Sequence, residues 1–348
     1  MSDAPLQTVI FSGVRHARNY ADVIAAHPDV ELVAVHDSDD APDWAHADTR
    51  AVAERSGVPV VDSIPDDADL VIVCSEPTRH AACALAAMEA GHHVLIDKPA
   101  ATTLADVLAL RAMSRERQLV CTSVNRTLLA STRRAKATID AGHIGFARSV
   151  DVEFLSDGAQ FATAVERPEL VIDATLSGGG EIMNFMGYCI DSVRVLTGCE
   201  PLEVFGYSAT AFSELHREAG AEDVAVVSAR FTHGVVATIT VGRIPAAPSA
   251  GPGASTVRIV GSHGHLLADD SKPAVALHRA NREVDAIHAG SRGEHEAVSE
   301  MLHDVVGAIR HGQPLRYTID DAAIAIAAIE ATYRSIETGR PVAVAQLD

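Results

Sequence analysis

The residues best suited to chemistry stand at the end of a short apolar run in GHHVLIDKPA, from Gly91 to Ala100. This run predicts a strand from His93 to Ile96, followed directly by Asp97-Lys98-Pro99. In an open α/β sheet the C-terminal ends of the strands face the ligand crevice. A solvated surface lysine is the ordinary interpretation. However, only three of the 28 basic residues are lysines, which favours a specific role for Lys98.

A second polar group follows the glycine run Gly178-Gly179-Gly180. Four polar residues fall at i, i+3, i+7 and i+10 of a predicted helix, namely Glu181, Asn184, Tyr188 and Asp191. This spacing puts them on one face, while Ile182, Met186, Cys189 and Val193 form an apolar face. The polar stripe is either a solvated surface or one wall of a cleft. We favour the cleft, because the glycines allow close approach at the start of the helix.

These groups need a scaffold, and up to residue 124 the pattern is that of alternating strands and helices. Apolar runs at Thr8–Ser12, Asp29–His36, Leu70–Cys74 and His93–Ile96 alternate with helical segments of about 10 to 15 residues. We therefore predict a doubly wound parallel (Rossmann) sheet domain over residues 1–124.

From Asn125 onward the pattern changes to long alternating strands with a His233-Gly234 turn, and helices are predicted at Glu181–Leu196, Gly293–His311 and Thr318–Thr338. This indicates an α+β domain with a large, mainly antiparallel sheet over residues 125–348, for substrate binding and oligomerisation. The Pro245–Ala254 segment, rich in proline, glycine and serine, reads as a loop.

Composition narrows the class of partner. The formal net charge of −19 over 348 residues disfavours nucleic acid and anionic membranes as partners. Five dispersed cysteines without a C-x-x-C pair fit neither a disulfide framework nor a zinc site, so we expect buried reduced thiols and no metal. The N-terminal residues show no secretory signal. We expect a soluble, cytoplasmic protein that acts on a small molecule.

The turn after the first strand is a modified dinucleotide-binding loop. A G-x-G-x-x-G loop allows the backbone to approach a pyrophosphate, and here the positions are Ser12-Gly13-Val14-Arg15-His16-Ala17. Val14 replaces a glycine, which argues against tight binding. Arg15 could compensate through a charge-assisted hydrogen bond to phosphate.

Asp37 follows the second strand, 24 residues beyond Gly13, where an acidic side chain accepts the ribose 2′-hydroxyl. The next residues are Ser38 and Asp39, so no arginine follows immediately to hold a 2′-phosphate. NAD is therefore favoured over NADP. A solvated acidic loop at Asp37–Asp43 is the alternative.

The sequence resembles the Gfo/Idh/MocA oxidoreductase family over nearly its whole length. SEPTRHAACALAAMEAGHHVLIDKPAATT looks like the family segment with a His at a helix start and Glu-Lys-Pro at a strand end, and Asn125-Arg126, the glycine run and the closing TGRPVAV look like further family motifs. The resemblance implies a cis Lys98-Pro99 bond. It also implies cofactor contacts at or near the strand ends, which we assign to Ser12, Gly13, Val14, Arg15, His16, Asp37, Cys74, Ser75, Glu76, His80, Asp97 and Lys98.

Three residues depart from the family pattern. Asp97 stands in place of Glu, and Asn184 and Tyr188 stand in place of an Asp and a His four residues apart. Tyrosine at the second position resembles the branch of glucose-fructose oxidoreductase and dihydrodiol dehydrogenase. Asn184 can orient a hydroxyl but cannot act as a base at neutral pH.

The resemblance implies an NAD(P)-dependent oxidoreductase that transfers hydride between nicotinamide and a secondary alcohol or ketone of a sugar, cyclitol or sugar derivative. Tyr188 could be the acid/base if Lys98 lowers its pKa from about 10, or Lys98 could itself be the acid/base. His80 is a weaker candidate, and Arg126, Asp173, Asn184 and Tyr188 are predicted to contact substrate.

Two alternatives remain open. The first is a ligand-binding or regulatory protein of the same fold that has lost catalysis, which the changes at Ser12, Val14 and Asn184 would favour. The second is an NAD-recycling elimination or glycoside-cleaving enzyme. An exposed sheet face in the second domain would imply a homodimer or homotetramer.

Overall fold

The computed structural model of the protein describes residues 4–157, 167–245, 254–270, 274–279, 283–288 and 296–347. Within these ranges the chain forms a parallel six-stranded sheet and a mixed, mostly antiparallel nine-stranded sheet. The predicted fold class, a Rossmann domain combined with an α+β domain, is confirmed.

The first sheet has the strand order β3-β2-β1-β4-β5-β6, with all pairs parallel. Its strands are β1 (Leu6–Phe11), β2 (Val30–His36), β3 (Val60–Val61), β4 (Leu70–Val73), β5 (His93–Ile96) and β6 (Cys121–Ser123). The connecting helices are α1 (Ala17–Ala25), α2 (Asp43–Ser56), α3 (His80–Glu89) and α4 (Leu104–Arg117). All four residues of β4 are buried because helices cover both faces of the sheet, which explains its unbroken apolar sequence.

The chain order reverses between β1 and β4. Neighbours β1, β2 and β3 extend the sheet in one direction, and β4, β5 and β6 extend it in the other. Ligands of open α/β sheets bind in the crevice outside the carboxyl ends of the strands at such a reversal. Lys98, which follows β5, stands at this edge of the sheet.

The second sheet has the order β14-β13-β12-β11-β7-β10-β9-β8-β15, and only β7 and β10 pair in parallel among the described strands. Its strands are β7 (Ala147–Asp157), β8 (Pro201–Ala209), β9 (Val224–Phe231), β10 (Val236–Ile244), β11 (Ala254–Gly261), β12 (Gly264–Asp269), β13 (Ala274–Arg279), β14 (Val284–His288) and β15 (Val342–Ala343). The predicted turn at His233-Gly234 is confirmed, since both residues have positive φ between β9 and β10.

Seven further helices accompany this sheet in the described residues: α5 (Ala130–Asp140), α6 (Glu169–Ile172), α7 (Ala174–Ser177), α8 (Glu181–Thr197), α9 (Glu214–Ala219), α10 (Glu296–His311) and α11 (Ile319–Thr338). Sequence periodicity missed the short helices α6, α7 and α9, because four to six residues are too few to show a helical repeat. The predicted start of α10 at Gly293 and most of the Pro245–Ala254 loop lie outside the described residues.

Helix α11 joins the two halves of the molecule. Arg111 of α4 donates to the Asp320 carboxylate near its start, and the Leu104 amide donates to Glu330 at 2.8 Å. A capping box between Thr318 and Asp321 fixes where the helix begins. None of the described helices combines the length and apolarity that a membrane crossing requires. All five cysteines are buried and unpaired, as predicted.

Candidate active site

Lys98 reaches from the end of β5 to helix α8. Its Nζ donates to the Oδ1 atom of Asn184 and to the backbone oxygen of the same residue at 3.2 Å. The rings of Phe185 and Tyr188 have their centroids 5.3 and 5.7 Å from Nζ. The Lys98-Pro99 bond is cis, as the resemblance implied. Lys98 is 8% exposed, so it is a held cation and not a surface lysine.

The polar stripe of α8 is largely buried. Glu181 and Asp191 are 0% and 1% exposed and Asn184 is 7% exposed, whereas Tyr188 is half-buried against Phe154, with 5.4 Å between the ring centroids. A solvated surface is therefore excluded. Lys98, Asn184, Tyr188 and Asp191 line one cavity of about 40 Å³.

Asp191 lies at the far side of this cavity. Its Oδ2 accepts hydrogen bonds from Asn125 Nδ2 at 2.7 Å and Tyr317 OH at 2.9 Å. Burial raises the pKa of Asp191 to about 7, although the nearby Arg194 opposes the shift.

Arg126 pairs with Asp270 at 2.8 Å, and its guanidinium lies over the rings of Phe154 and Tyr188 at 5.3 and 5.8 Å. Arg126 therefore contacts an aromatic residue of helix α8, and its predicted role as a substrate contact stays a prediction. Asp173 does not join this group. Its exposed carboxylate begins helix α7 by accepting hydrogen bonds from the Thr175 amide and hydroxyl at 2.9 and 2.7 Å.

The loop after β1 has an unusual backbone conformation, although Ser12 and Val14 stand at two glycine positions of the dinucleotide-binding motif. Ser12 occupies the left-handed region with φ of 71°, at the position where a first glycine would stand. A side chain at position 13 would force the backbone to shift, because a Cβ there would lie 2.4 Å from the Cα of Thr49. Its amide donates to the Thr49 hydroxyl at 2.8 Å.

Val14 and Arg15 connect this loop to the second half of the chain. Val14 is 1% exposed and packs with Ala41, Ala45 and Leu170 of α6. Arg15 donates from Nη1 to the backbone oxygen of Leu170 at 3.2 Å. Helix α6 therefore covers the loop in this structure, and the Arg15 guanidinium is occupied by protein groups.

Asp97 contacts residues of the same loop and of helix α1. It accepts hydrogen bonds from His16 Nδ1 at 2.8 Å and Tyr20 OH at 3.1 Å, and Arg15 Nε lies 3.5 Å away. Burial opposes ionisation, but His16 and Arg15 together hold the pKa of Asp97 well below its usual range. Asp97 thus points to the nucleotide loop, and the adjacent Lys98 points to α8.

Asp37 lies at the end of β2. Its Oδ2 accepts hydrogen bonds from the hydroxyls of Ser12 and Thr49, both at 2.9 Å, and its Oδ1 accepts from the Ser38 amide at 3.0 Å. Sequence reasoning missed Arg79, which bonds to the Ser38 hydroxyl and lies 3.9 Å from Asp37 Oδ1. Arg79 and Ser38 are 41 residues apart in the chain, so residue spacing could not indicate this contact.

His80, Cys74 and Ser75 support the strand ends. The two ring nitrogens of His80 contact the backbone oxygens of Pro99 and Ser75 at 2.7 and 2.8 Å. Burial lowers the pKa of His80 and raises that of the Cys74 thiol. These contacts give His80 a structural role beside the cis bond, and they argue against its use as the acid/base.

Glu76 provides a test of whether a dinucleotide fits this edge of the sheet. Its Oε1 accepts from Arg79 at 3.1 Å, whereas the buried Oε2 has no hydrogen-bond partner among the described residues. A buried carboxylate oxygen without a donor is costly. A ribose hydroxyl is a suitable donor, so Glu76 together with Asp37 fits the ribose of a dinucleotide.

Two family profiles cover most of the chain. Residues 8–125 match the oxidoreductase family with an NAD-binding Rossmann fold, and residues 132–267 match the GFO/IDH/MocA C-terminal domain. This chain belongs to the Gfo/Idh/MocA oxidoreductase family. It is therefore an NAD-binding oxidoreductase with a Rossmann domain, and its relatives are dehydrogenases and reductases.

Individual relatives agree with this placement. The chain is 23% identical to myo-inositol 2-dehydrogenase of Thermotoga maritima over 79% of each protein. It is 32% identical to 1,5-anhydro-D-fructose reductase of Ensifer adhaerens over 49% of each protein. Levoglucosan dehydrogenase in complex with NADH shares the fold with a TM-score of 0.84 and 20% identity, covering 99% of this chain and 100% of the other.

Proposed function

We propose that this protein is an NAD-dependent dehydrogenase or reductase that transfers hydride between nicotinamide and a secondary alcohol or ketone of a sugar, cyclitol or sugar derivative. The observation that carries the proposal is the Lys98 ammonium, buried at the switch-point edge of the sheet against Asn184 and beside Tyr188. The names of the inositol and anhydrofructose relatives support the substrate class.

The catalytic residues we propose are Lys98, Tyr188 and Asn184. Bound NAD supplies the hydride acceptor for the alcohol carbon. The nearby Lys98 cation stabilises Tyr188 as the phenolate, which takes the substrate hydroxyl proton and becomes the neutral phenol. In the alternative assignment Lys98 takes the proton and Tyr188 orients the hydroxyl. Asn184 holds Lys98, and Arg126, over the Tyr188 ring, contacts substrate oxygens.

We leave Asp173 out of the substrate contacts, because its carboxylate caps α7 and is exposed. Residues 158–166 and 246–253 lie outside the described ranges. The cofactor site in this proposal comprises the loop from Ser12 to His16, the ribose carboxylates Asp37 and Glu76, and the supporting residues Cys74, Ser75, His80 and Asp97.

The proposed preference for NAD over NADP rests on charge. Three carboxylates, those of Asp37, Asp40 and Glu76, lie within 3.9 Å of the Arg79 guanidinium. Because Arg79 is already neutralised, a ribose 2′-phosphate would add two negative charges to an acidic pocket. NADPH should therefore bind more weakly than NADH in a fluorescence titration. Equal affinities would contradict this preference.

The functional units we propose are a cofactor domain over residues 1–124 and a substrate and oligomerisation domain over residues 125–348, in a cytoplasmic protein. The nine-stranded sheet exposes Tyr207, Val226, Val236 and Val260, with 42 to 67% of each residue accessible. Exposed apolar side chains on a sheet favour association. We propose a homodimer or homotetramer, and light scattering after size-exclusion chromatography measures which.

A screen of sugars and cyclitols with NAD and NADP at 340 nm tests the activity. One observation favours a second candidate, a ligand-binding protein without catalysis: Leu170 of α6 packs on Val14 of the nucleotide loop. NADH fluorescence distinguishes the two. Saturable NADH binding with turnover of at least one polyol supports the dehydrogenase, whereas no binding at millimolar NADH supports the binding protein.

A further inference from the structure

The side-chain amide of Asn184 connects a buried cation to a buried anion. Its Oδ1 accepts from Lys98 Nζ, and its Nδ2 donates to Glu181 Oε2 at 2.9 Å. An ammonium can only donate and a carboxylate can only accept, so both ends of the amide have a fixed orientation. The Asn184 oxygen therefore faces Lys98 because Glu181 holds its nitrogen.

Glu181 is fully buried and tightly held. Its Oε1 accepts from Arg243 Nε of β10 at 2.6 Å and contacts His216 Nε2 of α9 at 3.2 Å. Burial opposes its ionisation, but the hydrogen bonds from His216, Arg243 and Asn184 hold the pKa of Glu181 below its usual range. Glu181 thus carries its negative charge inside the protein.

The two partners of Glu181 are themselves positioned by one buried residue, Asp223. Its carboxylate accepts hydrogen bonds from the backbone amides of Ala211, Phe212 and Ser213 at 2.9, 2.7 and 2.7 Å, just before α9 begins. Its backbone oxygen accepts from the Arg243 amide at 2.8 Å. The charged network is therefore built into the second sheet, independently of Lys98.

We propose that Glu181, acting through the Asn184 amide, is the positioning residue that orients and stabilises the Lys98 cation. The Asn184 amide that contacts Lys98 is uncharged. Glu181, one turn earlier in the same helix, supplies the negative charge at the other end of this hydrogen-bonded chain. The inference builds on the proposed function, since it assigns Lys98 to catalysis.

Other groups around Lys98 define the controls. The Tyr188 ring centroid lies 5.7 Å from Lys98 Nζ, the Arg126 guanidinium lies over the same ring at 5.8 Å, and Asp191 lines the same cavity. Among the described residues, Asp97, next to Lys98 in the chain, and Asp191 are further buried carboxyl groups near this lysine. Asp191→Asn tests the influence of Asp191 on Lys98 separately from the effect of Glu181.

The test follows the titration of Lys98 by NMR in protein labelled with ¹³C at the lysine ε-carbon. The chain has only three lysines, so three signals are expected, and the Lys98 signal is the one absent from Lys98→Met. In Glu181→Gln we expect the Lys98 midpoint to move to lower pH by about one unit. Asn184→Ala, which removes the bridge and leaves Glu181 with Arg243, should shift it in the same direction.

Moving the carboxylate from position 181 to position 184 should restore the Lys98 midpoint. The Glu181→Gln/Asn184→Asp double variant moves the carboxylate next to Lys98 and should return the midpoint to the wild-type value or above. The matched control is Glu222→Gln, since Glu222 is a half-buried carboxylate next to the start of α8, where it accepts from the Ile182 amide at 3.0 Å and from the Tyr333 hydroxyl. It should leave the Lys98 midpoint unchanged.

An unchanged Lys98 midpoint in both Glu181→Gln and Asn184→Ala overturns the proposal, as does an equal shift in Glu222→Gln. The NMR titration requires no turnover, so it remains decisive even if the dehydrogenase assignment fails. With an active substrate, the pH dependence of kcat should move with the NMR midpoint while the KM for NAD stays constant. A change confined to KM would contradict a role acting on Lys98.

Discussion

Asp191→Asn should change how the stability of this protein depends on pH. The Asp191 pKa of about 7 in the folded protein contrasts with about 3.9 in an unfolded chain. Between these values the unfolded chain releases the proton and the folded protein keeps it, so rising pH favours unfolding. The contribution of protonated Asp191 to the free energy of unfolding is therefore fully present below pH 4 and is lost as the pH rises towards 7.

The structure explains why Arg194 does not keep Asp191 ionised. Asp191 Oδ1 lies 3.5 Å from Arg194 Nη1, but the same guanidinium contacts Glu200 at 2.6 Å and Asp321 at 3.0 Å. One cation is therefore shared among three carboxylates, and its attraction for Asp191 is too weak to offset the cost of burying an ionised carboxylate. Asparagine keeps the oxygen that Asn125 and Tyr317 bind and removes the titrating proton.

Urea unfolding of both proteins from pH 5 to pH 8 measures this effect. The wild type should lose about 2 kcal/mol more than Asp191→Asn between pH 5 and pH 7, with little further difference above pH 8. Taking the difference cancels the pH dependence of the remaining charges. Parallel stability curves would show that the pKa of Asp191 is not raised. A wild type that gains stability relative to Asp191→Asn as the pH rises would show an ionised Asp191 paired with Arg194.

Three other substitutions test separate parts of the site. Gly13→Ala should displace the nucleotide loop, because its Cβ would meet the Thr49 backbone at 2.4 Å, and isothermal calorimetry should show NADH binding weakened by at least about tenfold. Glu76→Gln should weaken NADH binding by about tenfold, since it removes a buried acceptor, while the exposed Glu89→Gln should not; equal affinities would exclude a ribose contact. Tyr188→Phe should remove one titrating step from the pH–rate profile, and an unchanged profile would exclude Tyr188 as the acid/base.

Much of the scaffold could be predicted from local sequence. The parallel strands are unbroken apolar runs because both faces are covered, and the two faces of α8 followed from residue spacing, with Ile182, Met186, Cys189 and Val193 all fully buried. The position of Lys98 at the crevice followed from the same rules. These features depend on neighbours in sequence, where periodicity carries information.

The contacts that refine the site could not be predicted in this way. Glu181 meets His216 and Arg243 across 35 and 62 residues, and Arg79 meets Ser38 across 41. Such pairs depend on how strands and short helices pack in three dimensions. Residue spacing correctly put Glu181 on the polar face of α8. It could not identify the partners of Glu181, because they lie far away in the sequence.

In the function we propose, Lys98 acts in the hydride-transfer reaction, and NADH affinity depends little on it. The most direct measurement compares wild type and Lys98→Met in two assays, NADH fluorescence titration and single-turnover reduction of NAD with an alcohol found in the screen. We predict that turnover falls by at least about a thousandfold while the NADH dissociation constant changes by less than about threefold. Near-normal turnover in Lys98→Met would contradict the account.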